Sequence, residues 1–127
     1  MKFKALMLTL VLLLPGCLDS EGEEIRFNGR NLEGSDVYMF TLEDSKGPLW
    51  NLTEQEGKVV VLAFIFTRCD NTCPVTSQNL KVVYESLTED ELTRVSFVSV
   101  TVDWRHDSPS ELNNWSDRMG YDWPHLT

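Results

Sequence analysis

Two thiols, Cys69 and Cys73, stand at i and i+4 in Thr67-Arg68-Cys69-Asp70-Asn71-Thr72-Cys73-Pro74, directly after an apolar run. If the turn is even loosely helical, that spacing puts both sulfurs on one face. They could then chelate one soft metal ion, or close a disulfide after a small shift. Three chemistries compete for the pair. Thiolates select Cu(I) or Zn(II) among biological metals. In thiol-disulfide exchange one thiolate attacks and the other resolves the mixed disulfide, although three intervening residues suit that chemistry less well than two. A plain structural disulfide is the weakest reading, because a bridge across so few residues closes a tiny loop and stabilises little.

These thiols need a scaffold that presents them. Val59 to Phe66 is apolar without alternation, the pattern of a central strand buried on both faces of a partly parallel sheet. Leu80, Val83, Tyr84 and Leu87 fall at i, i+3, i+4 and i+7 and predict a helix from Pro74 to Leu87. Pro74 suits its first turn, where a missing N-H leaves no bond unmade. Val95 to Val102 reads as a second strand, parallel to and beside the first through a right-handed crossover. Ser108-Pro109-Ser110-Glu111 carries the signals of a helix start, Leu112, Trp115 and Met119 make a buried stripe, and Gly120 ends it. Upstream, Val37 to Leu42 and Leu49 to Leu52 flank a turn-rich cluster and predict a short hairpin. The fold class is therefore α/β: an N-terminal hairpin, then β-α-β-α. The cysteine loop lies at the carboxyl end of the first long strand, where open α/β sheets gather ligands. The amides and dipole of the following helix favour a thiolate there, and Arg68 adds positive charge. An open edge on such a sheet would be a liability, so the expectation is a domain continuing beyond Thr127.

Composition places this domain. The 127 residues carry 11 Lys and Arg against 20 Asp and Glu, for a net charge of -9. An acidic surface without a basic cluster repels phosphate backbones, which argues against nucleic acid as a partner. Two of the lysines, Lys2 and Lys4, precede a nearly unbroken apolar stretch, Ala5 to Leu14, that ends in Leu14-Pro15-Gly16-Cys17. This reads as an export signal rather than a spanning helix, and its ending resembles the lipobox of prokaryotic lipoproteins, with Cys17 as the lipidated residue. The expected organisation is a signal over 1–16, an acidic polar tether over 17–35 and a domain over 36–127. Such a domain works outside the cytoplasm on a membrane-anchored tether, where copper is met more readily than in the cytosol, and copper becomes the leading reading of the thiol pair.

At these residues the chain resembles the Sco/SenC family of thioredoxin-like copper proteins that help to assemble cytochrome c oxidase. The likeness rests on the apolar strand running into Thr67 to Pro74, on Gln78-Asn79-Leu80, and on Phe97 to Asp103 followed by Asp107-Ser108-Pro109. It implies a thioredoxin-like fold with Cys69 and Cys73 as the sulfur ligands of copper. Asp103 takes the family's acidic position after the second strand. The family's third ligand, a His far downstream, falls beyond Thr127. Neither His106 nor His125 matches it, and both read as incidental. Two thiolates suffice for Cu(I) in near-linear geometry, whereas Cu(II) prefers nitrogen and would call for that downstream His.

The expected function is thus an extracytoplasmic copper chaperone more than an enzyme. It would deliver copper to the copper-binding subunit of cytochrome c oxidase, or exchange it with another copper chaperone. The alternative is a thiol-disulfide oxidoreductase that keeps that subunit's cysteines reduced, with Cys69 and Cys73 as its catalytic pair. Trp50, Trp115 and Trp123 read as core or rim aromatics, Met39 and Met119 as stripe residues, and Trp104 as exposed near the site.

Overall fold

The computed structural model describes residues 29–32 and 34–127. The chain divides into two units, Met1–Ser35 and Asp36–Thr127. In the first, the described residues close one turn, with the Ser35 amide donating to the Leu32 carbonyl at 2.9 Å; the expected export signal, Cys17 and most of the expected tether lie outside the described residues. No described helix is long and apolar enough to cross a membrane.

The second unit runs β1 (Thr41–Glu43), β2 (Leu49–Asn51), a 3₁₀ turn (Leu52–Gln55), β3 (Val59–Ile65), α1 (Thr72–Ser86), α2 (Glu89–Arg94), β4 (Val95–Thr101), α3 (Pro109–Met119) and β5 (His125–Leu126). β1 and β2 form the expected antiparallel hairpin. β3 and β4 pair in parallel over their full length, from Val59 opposite Val95 to Ile65 opposite Thr101. β5 adds in parallel to the other side of β4, and an antiparallel bridge between Asp44 and Leu126 ties it to the hairpin. The sheet order is therefore β3-β4-β5. Among the described residues β4, not β3, is the central strand. Nor do the described residues cover both faces of β3: Phe64 is 68% exposed and Val59 is exposed as well.

Successive side chains of a strand point to opposite faces, and the core divides accordingly. Ile65 and Phe97 face a cluster with Cys73, Leu112, Trp115, Tyr121 and Trp123, against which Leu80, Tyr84 and Leu87 pack. The alternate residues Val60, Leu62, Val98 and Val100 face Trp50 and Leu126 under the hairpin. The buried face of α1 is set by Cys73, Ser77, Leu80 and Tyr84, so Val83, expected in the stripe, lies half exposed. Met39 and Met119 are exposed too, and neither occupies the core place expected of it. Leu112 and Trp115 do bury the inner face of α3. That helix is capped by Ser108, whose hydroxyl accepts from the Glu111 amide at 3.3 Å, and ended by Gly120 in the left-handed region.

The 3₁₀ turn, α2 and β5 come in addition to the elements expected. α2 is a short helix closed by a reciprocal capping box between Thr88 and Glu91, and β5 contributes only two residues, both buried.

Candidate metal centre

Because β3 and β4 are parallel and in register, their carboxyl ends lie side by side, and the Val102 amide donates to the Ile65 carbonyl at 2.9 Å. The loop after β3 brings the thiols, and the loop after β4 brings Asp103, Trp104, Arg105, His106 and Asp107. The cysteine loop turns at once: the Cys69 amide donates to the Phe66 carbonyl at 3.2 Å. α1 then begins at Thr72 with no side-chain cap from Asn71. Four amides at a helix start lack intrahelical acceptors, and one finds the thiol, since the Cys73 amide donates to Cys69 Sγ at 3.2 Å. Pro74, the third residue of α1, sits within this unpaired turn and forfeits no bond.

The two thiols are free and differ in environment. Cys69 is partly exposed and Cys73 buried. The neighbouring Cys73 thiol, followed by the amides of Cys73, Asn71 and Thr72, lowers the pKa of Cys69. Burial, then the presence of Cys69, raises that of Cys73. The pair therefore offers an outer, thiolate-prone sulfur over an inner, protonated one. Among the described residues no group of three or more His, Cys, Asp and Glu side chains is arranged to hold a metal ion. The two sulfurs, which no further described His, Asp or Glu joins as a third donor, form a soft donor set.

Asp103 stands beside the pair rather than in it. Its carboxylate accepts from Arg68 Nη2 at 2.7 Å and meets His106 Nδ1 at 2.8 Å. His106, then Arg68, holds the Asp103 carboxyl below its usual range. The exposed His106 is thus engaged by Asp103, while the exposed Trp104 stacks under the guanidinium of Arg105, 5.2 Å from the ring centroid. His125 is in the core, among Trp115, Tyr121 and Trp123. Burial depresses its pKa to about 4.

Asp107, present in the sequence only as part of the Asp107-Ser108-Pro109 likeness, has a place in the site that the sequence does not display. Asp107 is completely buried and accepts from the Thr67 amide at 3.0 Å, from Thr67 Oγ1 at 2.5 Å and from Thr101 Oγ1 at 2.5 Å. A lone Asp before a helix cap reads as solvated, and only the side-by-side strand ends reveal what it holds.

With this geometry in view, comparison with known proteins is direct. A family model for SCO1/SenC matches residues 31–127. The SCO1 protein homolog of Bacillus subtilis is 27% identical over 97 residues, covering 68% of this chain and 50% of the relative, so the chain spans half that relative's length. A SCO1/SenC family lipoprotein from Bacillus anthracis superposes with a TM-score of 0.61 at 30% identity, over 72% of this chain and 56% of that one. Yeast Sco1 solved with copper bound superposes with a TM-score of 0.64 at 25% identity, over 73% of this chain and 51% of that one. The α/β arrangement described above is the thioredoxin-like arrangement of these proteins, and the chain belongs to the SCO1/SenC family.

Proposed function

We propose that Cys69 and Cys73 bind Cu(I) as cargo and pass it to the copper-binding subunit of cytochrome c oxidase or to another copper chaperone. The observation that carries this reading is the pair of free thiols at the amino end of α1, one sulfur already accepting an amide. The copper-bound yeast relative supports it. Cys69, partly exposed and the readier to ionise, receives the metal, and Cys73 closes the site from the buried side. Cys73 must give up its proton to do so, so Cu(I) affinity rises with pH. Release runs in reverse, an incoming thiolate or imidazole replacing one cysteine at a time so that bare copper is never freed. In this reading residues 1–16 are the export signal and 17–35 the tether, anchored through lipid on Cys17 and holding the domain outside the cytoplasm; the lipoprotein relative supports the anchor. The test is Cu(I) titration against a chromogenic chelator. Cys69→Ser or Cys73→Ser should abolish tight binding, and nanomolar affinity surviving in the double variant would sink the copper reading.

The asymmetry of the thiols also favours a second reading, thiol-disulfide exchange. The Cys69 thiolate would attack a partner's disulfide, and Cys73 would then resolve the mixed disulfide, leaving Cys69 and Cys73 joined and the partner's two thiols reduced. Catalysed reduction of a disulfide peptide that vanishes in either serine variant would support it.

A further inference from the structure

Asp107 is a carboxylate with no exposed surface. Among the described residues its side-chain hydrogen-bond partners are one amide and two hydroxyls, with no cation. Burying such a charge is costly unless its oxygens are well satisfied, so its place asks for a reason. Both strand ends at the site converge on it. Oδ2 takes the Thr67 amide and the Thr101 hydroxyl, and Oδ1 takes the Thr67 hydroxyl. Thr67 lies two residues before Cys69 and directly before Arg68. Thr101 ends β4, and its hydroxyl, while donating to Asp107, accepts the Asp103 amide at 3.0 Å. Asp103 in turn holds Arg68. The backbone approach to Cys69 and the carboxylate that grips its neighbour Arg68 therefore hang from the same buried group.

We infer that Asp107 is the positioning residue of the dithiol loop: it fixes the end of β3 and, through Thr101, the Asp103 clamp on Arg68, so that Cys69 Sγ meets the Cys73 amide at the start of α1. Its effect on copper rests on the function proposed above, whereas its effect on the thiol itself does not. Groups outside a metal's own ligands commonly set affinity by about 10- to 100-fold.

The experiment uses the full chain, with Cu(I) affinity measured by chelator competition and the rate of Cys69 alkylation by iodoacetamide measured by peptide mapping. Asp107→Ala, which removes all three contacts, should weaken Cu(I) by about tenfold or more and slow Cys69 alkylation severalfold. Asp107→Asn keeps an oxygen for the Thr67 amide and the Thr101 hydroxyl and should restore most of both. Asp44→Ala removes a buried carboxylate of the hairpin that touches neither site loop, and should lower stability while leaving both readouts at the wild-type value. Unchanged affinity and alkylation in Asp107→Ala, or equal losses in Asp44→Ala, would overturn the inference. Should Asp107→Ala not fold, Thr67→Val, which deletes one hydroxyl arm, must show the same two losses at smaller size; wild-type values there overturn it equally. A wild-type protein that binds no Cu(I) would refute the copper reading instead, and the alkylation rates would still decide the role of Asp107.

Discussion

At the scale of single residues, His125 links the core to pH. Its imidazole is 1% exposed, with Nε2 lacking a partner among the described residues, and burial, partly opposed by the Trp123 carbonyl and Asp44, lowers its pKa from 6.5 to about 4. The unfolded chain thus binds a proton at a pH where the folded chain does not. Stability is full above about pH 6.5 and falls as the pH drops towards 4, by roughly 2 kcal/mol between pH 7.5 and 5. Urea denaturation at the two pH values checks this, and His125→Phe should remove most of the difference. The sequence displayed the thiols openly, because Cys69 and Cys73 at helical spacing after an apolar strand leave few alternatives. It hid the burial of His125 and Asp107, since nothing local to Trp123-Pro124-His125 or Arg105-His106-Asp107 tells a solvated side chain from one enclosed by distant elements.

At the scale of elements, the ends of helices were the most readable features. Ser108 and Pro109 start α3 and Gly120 stops it at φ 66°, where its amide reaches the carbonyls of Asp117 and Ser116. An L side chain is strained there, so Gly120→Ala should cost about 1–2 kcal/mol. The new Cβ would also meet Lys81 Nζ at 2.8 Å, displacing a flexible side chain whose ammonium donates to the Met119 carbonyl at 3.3 Å. A lower urea midpoint with an unchanged slope would show this. α2 had its signal in Thr88-Glu89-Asp90-Glu91, a capping box, but its six residues are too few for an apolar stripe to announce a helix. β5 is shorter than any alternation that could be recognised. The stripe of α1 was misplaced because periodicity alone credited Val83, whereas the helix rolls to bury Cys73 and Ser77.

For the whole molecule, parallel pairing of β3 with β4 is the decisive feature, because it sets the thiol loop beside the Asp103 to Asp107 loop at one end of the sheet. That pairing was legible from strand-helix-strand order. The position of β4 between β3 and β5 was not, since neighbours in a sheet are chosen by long-range packing that a single sequence does not display. The net charge of -9 favours cations of any kind, and in the proposed function it is the soft sulfur pair that would select copper over harder ones. The copper reading rests on two sulfurs. X-ray absorption at the copper edge of the reduced full chain, loaded with one equivalent of Cu(I) and carrying Cys17→Ser so that only the site thiols remain, separates it from binding elsewhere. A first shell dominated by sulfur from Cys69 and Cys73 is expected; a shell of nitrogen and oxygen alone, with both thiols still free to alkylation, would overturn it.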